Sequence, residues 1–505
     1  MVGYDVIIVG AGSAGCVLAA RLSENPNCSV LLIEAGPDYP DLPVLPVEVS
    51  SSLSPAYTHD WGYSSEPGHL GRVIQQPRAK LVGGCSATNG TFALRGSPAD
   101  YDEWASRSNP GWSFTEVLPF FQRLESDADF DNEWHGRTGP LPIRRFPREE
   151  LTPVQHAFLQ ACSTSGFPYV ADHNAPDSVG AGLIPMNAVA GVRQSTALVY
   201  LAPVRSRSNL TILGDALVDR IIFQGRRAAG IRLVASEEIL WADRVILAAG
   251  VFGSPAILIR SGLGPADHLR ALGIAIVDVL PGVGYNLVDH PLLEIHFAAP
   301  PLAQFENVQL YQTILTFKSS GDMKAHDLHI FPMSIVQTDY ENSPSRAWFN
   351  LGCSLVKPYS IGRLRLRSRD PAAVPLIDPA YLTHPEDLPR LVHAIRIARQ
   401  LIQTPPLADL VLQELFPGPQ VSNTLPSLER AVRMRLDSYL HPAGTCRMGP
   451  VSDEMAVVDH KGKVHGIDNV FVVDASIMPT IPAANTNLPT IMIAERCAAW
   501  LIEGT

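Results

Sequence analysis

The residues best equipped for chemistry stand close to the start of the chain. Gly10-Ala11-Gly12-Ser13-Ala14-Gly15 has the spacing GxGxxG, and Glu34 follows 19 residues after Gly15. Each type answers a need of a bound dinucleotide: Gly10 turns the chain tightly, Gly12 lets backbone approach a pyrophosphate, and Gly15 permits close packing of helix on strand. Ser13 and Ala14 open the helix, whose N-terminus faces the phosphates. Glu34 is placed to accept a hydrogen bond from a ribose hydroxyl. Nicotinamide and flavin dinucleotides share this fingerprint, so it does not choose between them.

These residues need a particular scaffold. Tyr4 to Gly10 (YDVIIVG) is a short β-branched run bounded by glycine, which predicts a buried parallel strand. A helix follows from Ala14 to Glu24, then a second buried strand from Ser29 to Glu34 (SVLLIE), completing a right-handed βαβ unit. Asp243 to Gly250 (DRVILAAG) repeats the pattern, with a helix over Ser254 to Ser261 and Pro255 in its first turn. Residues 37–84 are dense in Pro, Gly and Ser and too long for an ordinary connection, so they are expected to cover something. From 292 to 435 the alternation gives way to amphipathic strands such as Asp327 to Ile335, a hairpin near Arg363 to Arg367 and a helix over Leu388 to Ile402. Val470 to Asp474 and Pro489 to Ile502 read as a last buried strand and helix that return to the first domain. The expected fold class is therefore α/β: a Rossmann-like dinucleotide-binding domain (1–150, 206–291, 436–505) and a second, sheet-based α+β substrate domain (292–435), with 151–205 mixed.

Composition narrows the functional classes. The 505 residues are 46% hydrophobic and 18% charged, a globular balance. Lys and Arg total 39 against 50 Asp and Glu, a net charge of −11, which argues against a nucleic-acid or anionic-membrane surface. Seven cysteines form no CxxC pair and suggest reduced thiols. With no basic signal-like N-terminus and no apolar run of 18 residues, a cytoplasmic location is expected. His326 and His329 (HDLH) invite a metal reading, but at i and i+3 of a strand-like run they are expected to face opposite sides, so no metal is assigned.

Four further segments occur in order: Gly83 to Gly90 (GGCSATNG), Gly250 to Gly264 (GVFGSPAILIRSGLG), His441 to Gly449 (HPAGTCRMG) and Asn485 to Thr490 (NTNLPT). Together with the glycine turn they resemble the signatures of the glucose-methanol-choline oxidoreductase family, over residues 4 to about 500. The resemblance implies FAD as cofactor and oxidation of an alcohol to a carbonyl, with oxygen or a quinone-like acceptor reoxidising the flavin in a monomer or homodimer. Cys85, Thr88 and Val251 depart from the usual pattern. Some relatives carry at the position of Thr88 a histidine bonded covalently to flavin; a threonine hydroxyl is a poor nucleophile there, so non-covalent FAD is expected.

By the same resemblance, His441 is the base that takes the hydroxyl proton, and Asn485, which cannot take a proton, holds the oxygen. Asn485 is also a candidate N-cap for the last helix, whose positive end is expected to face the N1 and C2 carbonyl edge of the flavin. The resemblance extends the cofactor contacts to Ala35, Val82, Gly83, Asn89, Gly90, Val218, Ala249, Asp474, Ala475 and Thr486. Trp61, Cys353 and Leu355 are candidate substrate-pocket residues, core packing being the other reading of each. Glu294 and Glu306 are the carboxylates a cationic substrate could use. The implied substrate is a small primary alcohol, aryl, furanyl, pyridoxine-like or choline-like. The competing activity is that of FAD-containing relatives that act as lyases or photodecarboxylases without oxidising an alcohol.

Overall fold

A computed structural model describes residues 3–301 and 308–504. The β-branched runs at the start of the chain form strands Tyr4–Val9 and Val30–Ile33, joined by helix Ser13–Leu22. They lie at the centre of a seven-stranded sheet. Its parallel part runs Val470–Val472, Ile239–Leu247, Tyr4–Val9, Val30–Ile33, Leu210–Leu213. The first half of Ile239–Leu247 pairs instead with an antiparallel hairpin built from Val218–Gln224 and Arg227–Leu233. The strand from the chain's last segment thus docks beside strands from its first and middle segments, and the final helix, Asn487–Glu503, packs on helix Ser13–Leu22. The apolar residues of both helices close one hydrophobic core.

The second layer is a nine-stranded sheet. Its main order is Gln413–Phe416, Pro291–Ala299, Ala347–Leu355, Leu328–Pro332, Thr313–Phe317, Gly180–Leu183, Tyr169–Val170, antiparallel except for the last pair. Strand alternation sorts its side chains. Leu293, Ile295, Ile330, Leu351, Cys353 and Leu355 face a second core against helices Pro153–Thr164 and Asp387–Leu401. Leu292, Phe331 and Ile314 take the opposite face, toward Phe92 and Ala484. Residues 153–183 therefore join this layer, while Ala197–Leu201 and Leu210–Leu213 join the first.

Helix Gly250–Arg260 starts four residues earlier than its expected position, which puts Pro255 inside it. A proline cannot donate to the carbonyl four residues before it, here that of Val251. The hydroxyl of Thr445, from the HPAGTCRMG segment, donates to that carbonyl at 2.6 Å instead. Among the described residues, no helix is long and apolar enough to cross a membrane.

Candidate active site

A cavity of about 400 Å³ lies between the two layers. Part of its wall is the glycine turn. Gly10 has φ +98°, and a Cβ on it would lie 2.5 Å from the Ala248 carbonyl oxygen. The loop after Val82 crosses the turn so closely that a Cβ on Gly84 would lie 2.6 Å from Gly12 Cα. Helix Ser13–Leu22 has no side-chain cap, nor has the final helix, and both first turns border the cavity through Ser13, Ala14, Asn487 and Thr490. Their uncapped N–H groups and positive dipole ends suit anionic groups. Ser13 Oγ donates to Asn487 Oδ1 at 2.7 Å, tying the two helix starts together.

Glu34 also lines the cavity, and its two carboxylate oxygens accept hydrogen bonds from the backbone of Ala11 and Gly36, each at 3.0 Å. Burial raises its pKa to about 7, against the lowering by those N–H groups. The remaining lone pairs of the carboxylate leave it able to accept from a ribose hydroxyl as well. Asp474 is buried, accepting from Gly250 N, Ser254 Oγ and Ser476 N; it holds the loop ends together and borders the cavity with Ala249, Gly250 and Ala475. Glycine turn, uncapped helix starts and a ribose-ready carboxylate together fit an adenine dinucleotide.

His441 and Asn485 meet in the same cavity, with Asn485 Nδ2 3.0 Å from His441 Nε2. The His441 backbone is held by several side chains. Its N–H donates to Asp289 Oδ1 at 2.8 Å. Asp289 Oδ2 accepts from Ser438 and Tyr381. Arg78 Nη2 donates to the carbonyl of Leu440, a residue with φ +65°. Burial, then the positive charge of Arg78, holds the His441 imidazole well below its ordinary pKa. A neutral ring whose cavity-facing Nε2 is unprotonated, here accepting from the Asn485 amide, is the form a general base needs.

Most expected site residues come together. Gly10, Gly12, Ser13, Ala14, Glu34, Ala35, Asn89, Gly90, Val218, Ala249, Asp474, Ala475 and Thr486 border one cavity with His441, Asn485 and Trp61. Gly15 instead packs on the Gly10 carbonyl, Val82 is buried in the core, and Gly83 N donates to Ala11 O. Cys353 and Leu355 are not pocket residues: their strand turns them into the second core, where Cys353 Sγ points at the Ala394 carbonyl. Asn485 is not the cap of the last helix; Thr486 holds the cap position, leaving the Asn485 amide for His441. His326 and His329 do not face opposite sides. His326 precedes strand Leu328–Pro332, so alternation does not apply to it, and the two rings stack with centroids 5.3 Å apart. Glu306 lies outside the described residues.

Several wall residues have no motif. Tyr57, Phe92, Tyr311, Phe331 and Tyr439 line the cavity with Glu294 and Leu292. In register, Glu294 and Phe331 flank Gly352 across three strands; a Cβ there would lie 2.6 Å from the Phe331 ring. The distant set Glu125, Asp127 and His135 has metal-like convergence. Arg95 and Arg145 already pair with its carboxylates, which makes it an ion-pair network.

Comparison with known proteins agrees with this geometry. The GMC oxidoreductase family pattern matches residues 4–292 and 358–494. An oxygen-dependent choline dehydrogenase of Chromohalobacter salexigens is 36% identical over 98% of this chain and 94% of its own length. The mitochondrial choline dehydrogenase of Mus musculus is 35% identical over 99% of this chain and 89% of its own length. Among solved structures, the pyridoxine 4-oxidase of Mesorbium loti superimposes with a TM-score of 0.91 at 31% identity, covering 99% of both chains. Two family segments that span most of the sequence, relatives aligned nearly end to end and a cavity fitted to an adenine dinucleotide lead to one assignment: the chain belongs to the GMC oxidoreductase family, FAD-dependent enzymes acting on CH–OH groups.

Proposed function

We propose that the protein oxidises a small primary alcohol with an aromatic or cationic head group, of the aryl, furanyl, pyridoxine-like or choline-like kind, to its aldehyde. The observation that carries this reading is the His441 and Asn485 pair in a cavity walled by aromatic rings. His441 Nε2 takes the hydroxyl proton, and the Asn485 amide 3.0 Å away donates to the same oxygen. FAD, bound without a covalent link because the loop presents Thr88 rather than a histidine to the cavity, would supply the acceptor for the hydride. Phe92, Tyr311, Phe331 and Tyr439 offer faces and edges to an aromatic or ammonium group, and the half-buried Glu294 carboxylate near Tyr57 and Tyr311 favours positive charge.

The test is anaerobic mixing of the holoenzyme with a panel of benzylic, furanyl, pyridine and choline alcohols while the flavin absorption is followed. Bleaching by at least one of them, with the aldehyde as product, is expected. No bleaching by any alcohol overturns the reading in favour of a lyase or photodecarboxylase. Acid precipitation should release the flavin into the supernatant; flavin retained on the polypeptide rules out the non-covalent link.

A further inference from the structure

Behind His441 stands a second buried imidazole. His290 Nδ1 lies 3.1 Å from His441 Nδ1, with the rings nearly perpendicular and their centroids 5.2 Å apart. One carboxylate oxygen fixes both residues: Asp289 Oδ1 accepts the backbone N–H of His290 and that of His441, each at 2.8 Å. Two Nδ1 atoms at this distance are satisfied when one hydrogen lies between them; two hydrogens collide and none leaves two lone pairs opposed. With the Asn485 amide donating to His441 Nε2, the hydrogen belongs to His441 Nδ1, and His290 accepts it and carries its own on Nε2. That Nε2 has no hydrogen-bond partner among the described residues although the ring is fully buried.

The charged groups around the pair are unevenly placed. The Arg78 guanidinium and His329 weigh on His441. His290 faces His441 and the Lys357 ammonium, whose charge is opposed by Asp100, paired to it at 2.9 Å. Asp289 is engaged by Ser438 and Tyr381, and Tyr439 stands against both rings. Positive charge is therefore opposed at His441 by Arg78, whose charge also acts on the Asp289 carboxylate, and at His290 by Lys357, which is paired directly to Asp100.

We propose, on the basis of the alcohol oxidation argued above, that His290 is the proton-accepting and positioning partner of His441. As the alcohol O–H bond breaks and His441 Nε2–H forms, the hydrogen on His441 Nδ1 passes to His290 Nδ1. The oxygen keeps the electron pair of the broken bond, His290 becomes the imidazolium, and His441 is left neutral as its other tautomer. In that tautomer Nε2–H donates a hydrogen bond to the oxygen that becomes the carbonyl. When the proton on His441 Nε2 leaves to solvent or to the reduced electron acceptor, the hydrogen on His290 Nδ1 returns to His441 Nδ1, and no oxidation state changes in either ring.

The experiment compares wild type with His290→Asn, whose amide oxygen can accept from His441 Nδ1–H but cannot take a proton, and with His290→Ala. Flavin reduction is followed anaerobically in mixtures of H2O and D2O. A relay predicts a rate at least about tenfold lower in both variants, with a curved dependence on deuterium fraction in wild type that becomes linear in His290→Asn. Full rescue by asparagine, or curvature that survives the substitution, overturns the relay. An independent reading needs no variant: in histidine-labelled wild type, nitrogen–nitrogen coupling across an N–H···N hydrogen bond is expected between the two imidazoles, and its absence overturns the pair. If no alcohol reduces the wild-type flavin, the functional reading falls and takes this step with it; failure of the isotope test alone leaves that reading standing.

Discussion

Two buried histidine clusters divide the protein's use of one side chain. His135 sits among Glu125, Asp127 and Asp172, with Nδ1 2.9 Å from Glu125 and Nε2 2.8 Å from Asp172. Burial alone would lower its pKa, but hydrogen bonds to Asp127, Asp172 and Glu125 raise it to about 10. Arg95, Arg145 and the Asp129 carboxylate complete, among the described residues, a network of four carboxylates and three cations. His441 and His290 have no carboxylate on a ring nitrogen, and burial holds both well below the ordinary imidazole range. One cluster keeps its proton at neutral pH and ties segments 95–145 and 172–174 together. The other keeps an unprotonated nitrogen at the cavity. Burial is common to both; the partners on the ring nitrogens decide whether the residue is structural or reactive.

The comparison is broken most severely at His441. Its replacement by Ala is expected to slow flavin reduction by about 10²- to 10⁴-fold while FAD stays bound; stopped-flow reduction and the visible spectrum of the variant check both halves. Next in size, Asp127→Asn leaves Arg145 and His135 short of a buried counter-charge and should cost roughly 3–5 kcal/mol of stability, with the reduction rate per folded molecule within about twofold of wild type. Chemical denaturation and single-turnover kinetics on the same sample separate the two effects.

Acid and base distinguish the clusters with smaller effects. His135 has a folded pKa above its unfolded value, so its stabilisation is complete below about pH 6.5. It is lost as pH rises toward its folded pKa of about 10. His441 and His290 have lowered folded pKa values, so their contribution is present above about pH 6.5 and lost below it. Thermal midpoints of the holoenzyme are therefore expected to fall on both limbs, with the alkaline limb flattened in Asp127→Asn. The smallest change expected is in Glu294→Gln: because Glu294 is partly exposed, KM for a choline-like alcohol should rise only about two- to fivefold, with KM for a neutral benzylic alcohol unchanged.

Legibility followed the same division. The dinucleotide half was readable because its demands fall on glycines and backbone groups at fixed spacing, so Gly10, Gly12 and Glu34 announce themselves. Even there, the dual hold of Glu34 on Ala11 and Gly36 and the burial of Asp474 under Ser254 depend on contacts across the chain. In the substrate half the strands are buried on both faces, and hydrophobicity cannot tell the face of Cys353 and Leu355 from the face of Gly352 and Ser354. Alternation was the right rule, but its origin depends on where a strand begins, and His326 lies before one. His290 and the aromatic walls carry no spacing signal, because they come from separate segments scattered between Tyr57 and Tyr439 that only the fold brings together.

The bond from Ser13 to Asn487 spans 474 positions. During synthesis the glycine turn leaves the ribosome long before the segment that completes its phosphate-facing wall, and strand Val470–Val472 reaches the parallel sheet equally late. Until then the C-terminal half of Ile239–Leu247 presents an open edge on the side that this strand later covers, the condition under which nascent α/β chains aggregate. Flavin loading is consequently expected to come late in the making of this enzyme, because the wall that Asn487 completes is among the last parts of the chain to be synthesised.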